Sequence, residues 1–76
     1  MLEVTIISPI EVVYEGKAES VVLPGEQGTF EVQSYHKPLI SRLLAGSVVV
    51  DGTVFTINRG ICKVRDNKVT IVSEVK

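Results

Sequence analysis

The residues best suited to chemistry lie in the middle of the chain, in the stretch LPGEQGTFEVQSYHKPL that runs from Leu23 to Leu39. Its glycines suggest a phosphate-binding loop, its histidine suggests a catalytic loop, and its polar turns suggest a docking loop. Gly25 and Gly28 belong to neither GxxxxGK[ST] nor a GxGxxG that opens a helix. The stretch is therefore not predicted to bind a nucleotide.

His36 is the only histidine, and histidine is the side chain most often used as a general base near neutral pH. A hydrolase would also need a nucleophile and an acid beside it, but Ser34 and Ser41 lie in no nucleophile motif. A single histidine is too little for a metal site. We expect no catalytic residue, no metal and no cofactor, and we interpret His36 as a loop or contact residue.

Two further features allow chemistry only in principle. Cys62 is predicted to face inward, where a thiol without a basic neighbour is inert. The basic residues Lys63, Arg65 and Lys68 could contact nucleic acid, but they lack aromatic stacking partners, and the chain has an isoelectric point of about 5.7. We predict a solvated or salt-bridged face, and no nucleic-acid binding.

Composition predicts one small domain. The chain has 76 residues and a single cysteine, so it has no internal disulfide. With 45% hydrophobic residues and a mean hydropathy of +0.30, it is rich in apolar residues for its size, which hints at surface buried by a partner. The first residues resemble no secretory signal and no run is long enough to span a bilayer, so we expect a reduced, cytoplasm-facing compartment and no bilayer insertion.

The net charge of −1 hides an uneven distribution. Residues 1–36 carry six acidic groups against one lysine, giving −5, and residues 37–76 carry seven basic groups against three acidic ones, giving +4. Such a division usually reflects differently charged faces, although it can also orient a protein as it docks.

Short runs rich in Val, Ile and Thr, separated by turn residues, predict strands and almost no helix. The predicted strands include Val4–Ile7, Val12–Tyr14, Ala18–Leu23 and Phe30–Gln33. We expect the residues Glu15-Gly16-Lys17 to separate the second from the third. Pro24-Gly25 fits the central pair of a type II turn, because proline presets φ and glycine accepts a positive φ.

Two hairpins can be predicted in register. Asp51-Gly52 favours a two-residue type I′ turn, which sets Val48 opposite Phe55 and Val49 opposite Val54. The face with Val49 and Val54 is too apolar for an ordinary solvated surface.

Asp66-Asn67 can form a second tight turn, which sets Val64 opposite Val69 and Cys62 opposite Ile71 on an apolar face. Arg65 then lies opposite Lys68, an unfavourable pair that predicts a nearby carboxylate.

Residues 39–44 fit either a helix or a buried strand, because their apolar positions have helical spacing and the run has only two polar interruptions. Altogether the pattern predicts about eight to ten short strands in a β-sandwich or flattened barrel. From the residues alone, this is a noncatalytic β domain whose surface meets another protein.

The run VVLPGEQGTFEV, followed by HKPL, resembles the N-terminal domain of the epsilon subunit of F-type ATP synthases, called delta in mitochondria. The family pattern there is similar to V-x-L-P-G-x-x-G-x-(F/I/L)-G-V-L-P-G-H-A-P-L. The residues in register with it are Leu23, Pro24, Gly25, Glu26, Gly28, Phe30, Val32, His36, Pro38 and Leu39. The resemblance extends to the opening LEVTIISP and the closing DNKVTIV.

Departures from the pattern cluster before His36. The residues Glu31, Gln33, Ser34 and Tyr35 stand where the family usually has Gly, Leu, Pro and Gly, and Arg59 stands where a second glycine often precedes Gly60. The usual subunit also continues into two C-terminal helices. On this resemblance we expect residues 1–76 to form one domain without that helical hairpin, as a natural short form or as a shortened chain.

The resemblance implies an all-β, ten-stranded β-sandwich and makes residues 39–44 a strand. It implies a noncatalytic rotor subunit of the central stalk that links the gamma subunit to the c-ring and couples ion transport to ATP synthesis. Its place would be peripheral, at the cytoplasmic face of a bacterial membrane. The implied gamma contacts are His36, Lys37, Pro38, Leu39 and Ser41, and the implied c-ring-facing loop is Glu26, Gln27, Gly28 and Thr29.

Two other functions remain open at this point. A free-standing β-sandwich could bind a protein, a peptide or a small ligand through the same loops. A hydrolase based on His36 would lose turnover, but not its fold, when His36 is replaced by alanine.

Overall fold

The computed structural model describes residues 1–74, and the last two residues of the predicted domain lie outside them. The described residues form nine β-strands and no helix. The strands are β1 Leu2–Ile7, β2 Val12–Ala18, β3 Ser20–Gly25, β4 Gly28–Gln33, β5 Leu39–Leu43, β6 Gly46–Val50, β7 Thr53–Ile57, β8 Gly60–Arg65 and β9 Lys68–Ser73. The predicted all-β class is confirmed, with nine strands where the family resemblance implies ten.

All nine strands belong to one curled sheet in the order β2-β1-β9-β8-β5-β3-β6-β7, with β4 paired to the free side of β3. The sheet folds over where β5 meets β3, because these strands share only the pair Gly25 and Leu43. One layer therefore contains β2, β1, β9, β8 and β5, and the other contains β4, β3, β6 and β7. The Tyr14 and Phe55 rings, 5.2 Å apart, join the two ends of the sheet and close the sandwich.

The core lies between the layers and is almost entirely aliphatic. Alternate residues of β1, β3, β8 and β9 point inward, as the period of a strand requires. The buried hydrophobic residues are Leu2, Val4, Ile6, Ala18, Val21, Leu23, Val32, Leu43, Val48, Val50, Ile57, Cys62, Val64, Val69 and Ile71. In so short a chain, this apolar packing must provide the stability that disulfides or bound metals provide in many small domains.

Both predicted hairpin registers are confirmed. Val48 pairs with Phe55 and Val49 with Val54 across the turn at Asp51 and Gly52, where φ is +45° and +86°. Such positive values are the conformation that a type I′ turn demands.

The second hairpin turns at Asp66-Asn67, with φ of +51° and +61°, and buries Cys62, Val64, Val69 and Ile71. The carboxylate expected near Arg65 is that of Asp66, whose Oδ2 lies 3.6 Å from Arg65 Nε.

The predicted turn at Pro24-Gly25 is wrong. Both residues lie in β3, paired with Thr29 and Gly28 of β4, and the chain turns at residues 26–27. The positive φ of this hairpin falls on Gly28, at +118°. Gly25 is needed for a steric reason, because a Cβ there would lie 2.8 Å from the Phe30 ring.

The predicted break at Glu15-Gly16-Lys17 is also wrong. These residues continue β2 and pair with β1, where Gly16 lies opposite Val4. A Cβ at Gly16 would lie 3.0 Å from the Tyr14 hydroxyl, so this glycine makes room for the aromatic side chain that helps to close the sandwich.

Residues 39–43 form a strand, as the family resemblance implies. β5 pairs with β8 over five residue pairs, from Leu39 opposite Val64 to Leu43 opposite Gly60. This pairing decides between the two structures that the local spacing allows.

Candidate interaction surfaces

The loop Glu26, Gln27, Gly28 and Thr29 forms an exposed tip at one end of the sandwich. It borders an open depression of about 630 Å³ whose other wall is formed by residues of β5 and β8, namely Leu39, Ile40, Ser41, Arg42 and Ile61. The tip is polar and carries no buried or paired charged group. Its arrangement suits contact with another polar surface.

The segment His36, Lys37 and Pro38 lies at the opposite end. It follows β4, whose six residues separate it from Gly28 by roughly 17 Å of extended strand. Lys37 and Pro38 are exposed and His36 is half-buried. His36, Lys37 and Pro38 therefore lie at the opposite end from the tip, whereas the predicted gamma contacts Leu39 and Ser41 line the same depression as the tip.

Leu39 and Ser41 are oriented differently from the other predicted gamma contacts. They pair with the buried residues Val64 and Cys62, and Leu39 packs against the core. The Ser41 hydroxyl donates a hydrogen bond of 3.1 Å to the carbonyl oxygen of Arg42. On β5 it is Ile40 and Arg42 that point outward, and both are exposed.

An apolar row crosses the outer face of the larger layer. Successive strand pairings set Val12 beside Ile7, Ile7 beside Val72, and Val72 beside Ile61. Val12 is 59% exposed, Ile61 51% and Val72 46%, and Ile7 is half-buried. We call these four residues the outer apolar row. Contiguous exposed apolar surface is typical of interaction sites.

A charged row crosses the other end of the same face. The pairings set Lys17 beside Glu3, Glu3 beside Lys68, and Lys68 beside Arg65. All four side chains are exposed. We call these four residues the outer charged row. The outer face thus has an apolar end and a charged end.

Part of the outer apolar row could have been predicted from the sequence, although the prediction considered only the inward-facing residues of the second hairpin. Extending the register of the Asp66-Asn67 hairpin beyond Cys62 and Ile71 sets Ile61 opposite Val72 on the reverse face. The link from Val72 to β1 could not be found this way, because it depends on the parallel pairing of β1 with β9, whose strands are far apart in sequence.

A second apolar strip lies on the outer face of the smaller layer. Val22 pairs with Val49, and Val49 pairs with Val54. Val54 is exposed and Val22 and Val49 are half-buried. The predicted apolar character of this reverse face is confirmed, and it remains open to solvent in the isolated chain.

In the described residues neither His36 nor Cys62 contacts a group that would activate it. His36 Nδ1 lies 2.7 Å from the Lys37 carbonyl oxygen, and in the described residues it has no hydrogen bond to a carboxylate or hydroxyl. Cys62 is fully buried, and this burial raises the pKa of its thiol to about 11, so the thiol stays protonated and unreactive near neutral pH. Within residues 1–74 no group of three or more His, Cys, Asp or Glu side chains could hold a metal.

Arg59 and Glu74 form an exposed ion pair near the outer apolar row. The hydrogen bond from Arg59 to the Glu74 carboxylate raises the pKa of the guanidinium above its usual value. The Glu74 backbone N–H also donates to the Arg59 carbonyl oxygen at 2.7 Å. This pair fixes the end of the described chain against the β7–β8 connection.

These features define a small all-β domain with an exposed polar tip and two apolar strips on its outer faces. The chain belongs to the family described as ATP synthase, Delta/Epsilon chain, beta-sandwich domain, whose model matches residues 1–75. The described part of the chain has no helix that could cross a membrane.

Relatives in sequence carry the same family name. The ATP synthase epsilon chain of Sulfurimonas denitrificans is 40% identical over 78 residues, which cover 96% of this chain and 60% of that one. The epsilon chain of Campylobacter lari is 35% identical over 79 residues, with coverages of 97% and 61%. The chain spans about 60% of the length of the relatives it matches.

Solved structures share the fold. The chain matches a component of the Tetrahymena thermophila mitochondrial ATP synthase central stalk and c-ring with a TM-score of 0.81 at 16% identity, over 97% of this chain and 63% of that one. A component of the Euglena gracilis mitochondrial ATP synthase OSCP/F1/c-ring structure matches with a TM-score of 0.86 at 19% identity, over 95% and 49%.

Proposed function

We propose that this chain is the β-sandwich part of a noncatalytic central-stalk subunit of an F-type ATP synthase. In this role it links the gamma subunit to the c-ring, so that rotation driven by ion flow reaches the catalytic subunits. The domain itself makes and breaks no covalent bonds. Its family membership and the names of its relatives support this role.

The observation that carries the proposal is the outer apolar row. Val12, Ile7, Val72 and Ile61 form an apolar strip across the outer face, and Ile40 adds a further exposed apolar side chain on β5. Exposed apolar surface of this kind is unfavourable in water unless a partner covers it. At about 25 cal/mol per Å², covering a few hundred Å² would contribute several kcal/mol before the costs of association. That contribution rivals the folding stability of a small domain.

We assign the outer face of the larger layer to gamma. The predicted contacts His36, Lys37 and Pro38 border this face at its charged end, and β5 runs from them toward the apolar end. Within β5, the outward-facing Ile40 and Arg42 extend the contact surface, whereas Leu39 and Ser41 support it from below. In this arrangement the gamma subunit would contact the outer face from its charged end to its apolar end.

We assign the tip at Glu26–Thr29 to the polar loops of the c-ring. The tip is exposed and polar, and lies roughly one strand length from the loop at His36. The tip adjoins the outer face at its apolar end, because Ile61 lines the same depression, so the shaft and the ring would contact neighbouring surfaces of the domain. The domain would lie peripherally at the cytoplasmic face of the membrane, through the complex and not through lipid.

A pull-down from membranes of the source organism tests this role. The tagged chain serves as bait, and captured gamma subunit and c subunit are identified by mass spectrometry. The matched bait carries Ile61→Ser, which makes the outer apolar row polar without touching the core. We expect the first bait to capture gamma and the second to lose most of it. Capture of other proteins by the first bait, without gamma, would favour a free-standing binding module instead.

A further inference from the structure

Tyr35 has a backbone conformation that its residue type rarely adopts. Its φ is +66°, in the left-handed region. The other non-glycine residues with positive φ in the described chain are Asp51, Asp66 and Asn67, whose short polar side chains tolerate this region. For a bulky aromatic residue the same conformation is an outlier that needs an explanation.

Packing within the chain does not provide that explanation. Tyr35 is 89% exposed, so its ring gains little from the rest of the molecule. An exposed aromatic side chain in an unfavourable backbone conformation destabilises the isolated chain in two ways. The backbone is strained, and the apolar ring is exposed to water. Strained residues of this kind cluster at binding sites, where a partner makes use of the geometry.

The conformation is held in place by a second turn. The Tyr35 backbone N–H donates a hydrogen bond of 2.6 Å to Asn67 Oδ1, and the His36 N–H donates to the Gln33 carbonyl oxygen at 3.2 Å. Asn67 lies in the β8–β9 turn. Its backbone carbonyl oxygen also accepts a hydrogen bond of 2.8 Å from the Glu3 N–H. The Tyr35 ring is therefore presented by a fixed support.

Cations predominate around this support. Asn67 lies between Arg65 and Lys68 of the outer charged row, and Lys37 follows in the Tyr35 loop. Lys63 lines the same surface depression as Arg65 and Lys68. The carboxylates facing them are those of Asp66, 3.6 Å from Arg65, and Glu3, which lies between Lys17 and Lys68. Five cations thus face these two carboxylates, while Glu19 and Asp51 line a separate depression with Gln33 and Ser34. The excess of cations beside the β8–β9 turn attracts acidic groups.

We propose that Tyr35 is an anchor residue that packs onto a polypeptide surface bearing carboxylates, with Lys37, Arg65 and Lys68 pairing with those carboxylates around it. Tyrosine is among the residues that most often dominate binding energy, since its ring is rigid and its hydroxyl can donate a hydrogen bond. This inference rests on the proposed function for the choice of partner, which is then an acidic patch of the gamma subunit.

The test measures the affinity of the chain for the purified gamma subunit of the same synthase. Tyr35→Asn keeps a residue type that tolerates positive φ and removes the ring. Tyr35→Phe keeps the ring and removes the hydroxyl. We expect Tyr35→Asn to raise Kd by about tenfold or more, as loss of an anchor does, and Tyr35→Phe to stay within about threefold of the unsubstituted chain.

The Tm of the isolated chain, measured without gamma, reports on folding independently of binding. Because Tyr35→Asn relieves strain, we expect it to raise Tm by a few degrees, roughly the shift that a small gain in stability gives a domain of this size. A variant that is more stable alone and yet binds more weakly cannot owe its weaker binding to misfolding.

Salt tests the charged part of the proposal. Raising NaCl from 50 to 300 mM should weaken binding several-fold, and Lys68→Gln should reduce this dependence. Unchanged affinity of Tyr35→Asn overturns the anchor role, and affinity independent of salt overturns the acidic partner, while both results leave the proposed function standing. If the unsubstituted chain fails to bind gamma at all, the proposed function and this inference are both wrong.

Discussion

Asp51 and Ser20 exchange a pair of hydrogen bonds that joins the β6–β7 turn to the corner between β2 and β3. The Asp51 N–H donates to the Ser20 carbonyl oxygen at 3.2 Å, and the Ser20 N–H donates to Asp51 Oδ1 at 3.0 Å. The same carboxylate also accepts from the Glu19 N–H, at 3.0 and 3.1 Å. A residue selected for its turn conformation therefore also satisfies the backbone of a distant corner.

Replacing Asp51 with glycine separates these two roles. Asp51→Gly keeps the positive φ and removes the acceptor for two backbone N–H groups, so we expect a loss of about 1–2 kcal/mol in the free energy of unfolding. Asp51→Asn keeps one acceptor oxygen and the turn conformation, and should lose less. Urea denaturation of both variants gives the comparison. A negligible loss in both variants would show that the carboxylate adds nothing beyond the turn.

Gly60 should be the glycine least tolerant of substitution. A Cβ at this position would overlap the Val72 carbonyl oxygen, so Gly60→Ala must push β8 away from β9. We expect a loss of about 3 kcal/mol or more in the free energy of unfolding, as for severe backbone clashes.

Gly52→Ala is the matched control for Gly60→Ala. Gly52 has φ of +86°, and the space around its missing Cβ is open, so its substitution carries only a conformational cost of about 1–2 kcal/mol. Thermal or urea unfolding should therefore rank Gly60→Ala as the more damaging change. The reverse order would contradict the close approach of β8 and β9.

Cys62 should make stability fall at alkaline pH. Burial raises the pKa of its thiol from 9.0 to about 11, so the folded chain keeps a proton that the unfolded chain loses. The stabilisation is complete below pH 9 and declines as pH rises toward 11. Between pH 8 and pH 10.5 we expect a loss of about 2 kcal/mol in the free energy of unfolding.

Cys62→Ala identifies the part of this loss that the thiol causes. The variant starts from a lower stability because its side chain leaves a small cavity, but its decline between the two pH values should be smaller than that of the unsubstituted chain. At pH 8 a thiol reagent should also modify Cys62 only as fast as the domain opens. Rapid labelling of the folded chain, or parallel pH profiles, would contradict this burial.

The outer apolar row should matter for association and little for folding. Ile61→Thr keeps a β-branched residue on the solvent side of β8, so we expect the free energy of unfolding to change by less than about 1 kcal/mol. If gamma covers this row, saturating gamma raises the Tm of the unsubstituted chain and raises that of Ile61→Thr much less.

Val64→Thr provides the contrast on the same strand. Val64 is buried, so a hydroxyl there should cost about 1–3 kcal/mol in the free energy of unfolding. Its outer surface is unchanged, so added gamma should still raise its Tm. Differential scanning calorimetry with and without gamma measures all of these shifts. Equal gamma-dependent shifts for both variants would place the contact elsewhere.

Local chemistry made much of this fold predictable from the sequence. Asp51-Gly52 and Asp66-Asn67 specify tight turns through their own backbone preferences, and the turn then fixes which residues face each other. The inward faces of both hairpins followed directly, down to the burial of Cys62. The loop residues Glu26–Thr29 and His36–Pro38 could be selected in advance only through their resemblance to a family motif.

The sequence by itself determined the strands of the two hairpins and the sides on which their apolar residues lie, because these depend on neighbours along the chain. Only the tertiary structure decided that Gly25 and Gly16 lie within strands. The residue type alone does not distinguish a glycine required by close packing of a neighbouring side chain from a glycine required by a turn. The tertiary structure also assembled the outer apolar row. Its residues come from β2, β1, β9 and β8, and no local preference records which distant strands will pair.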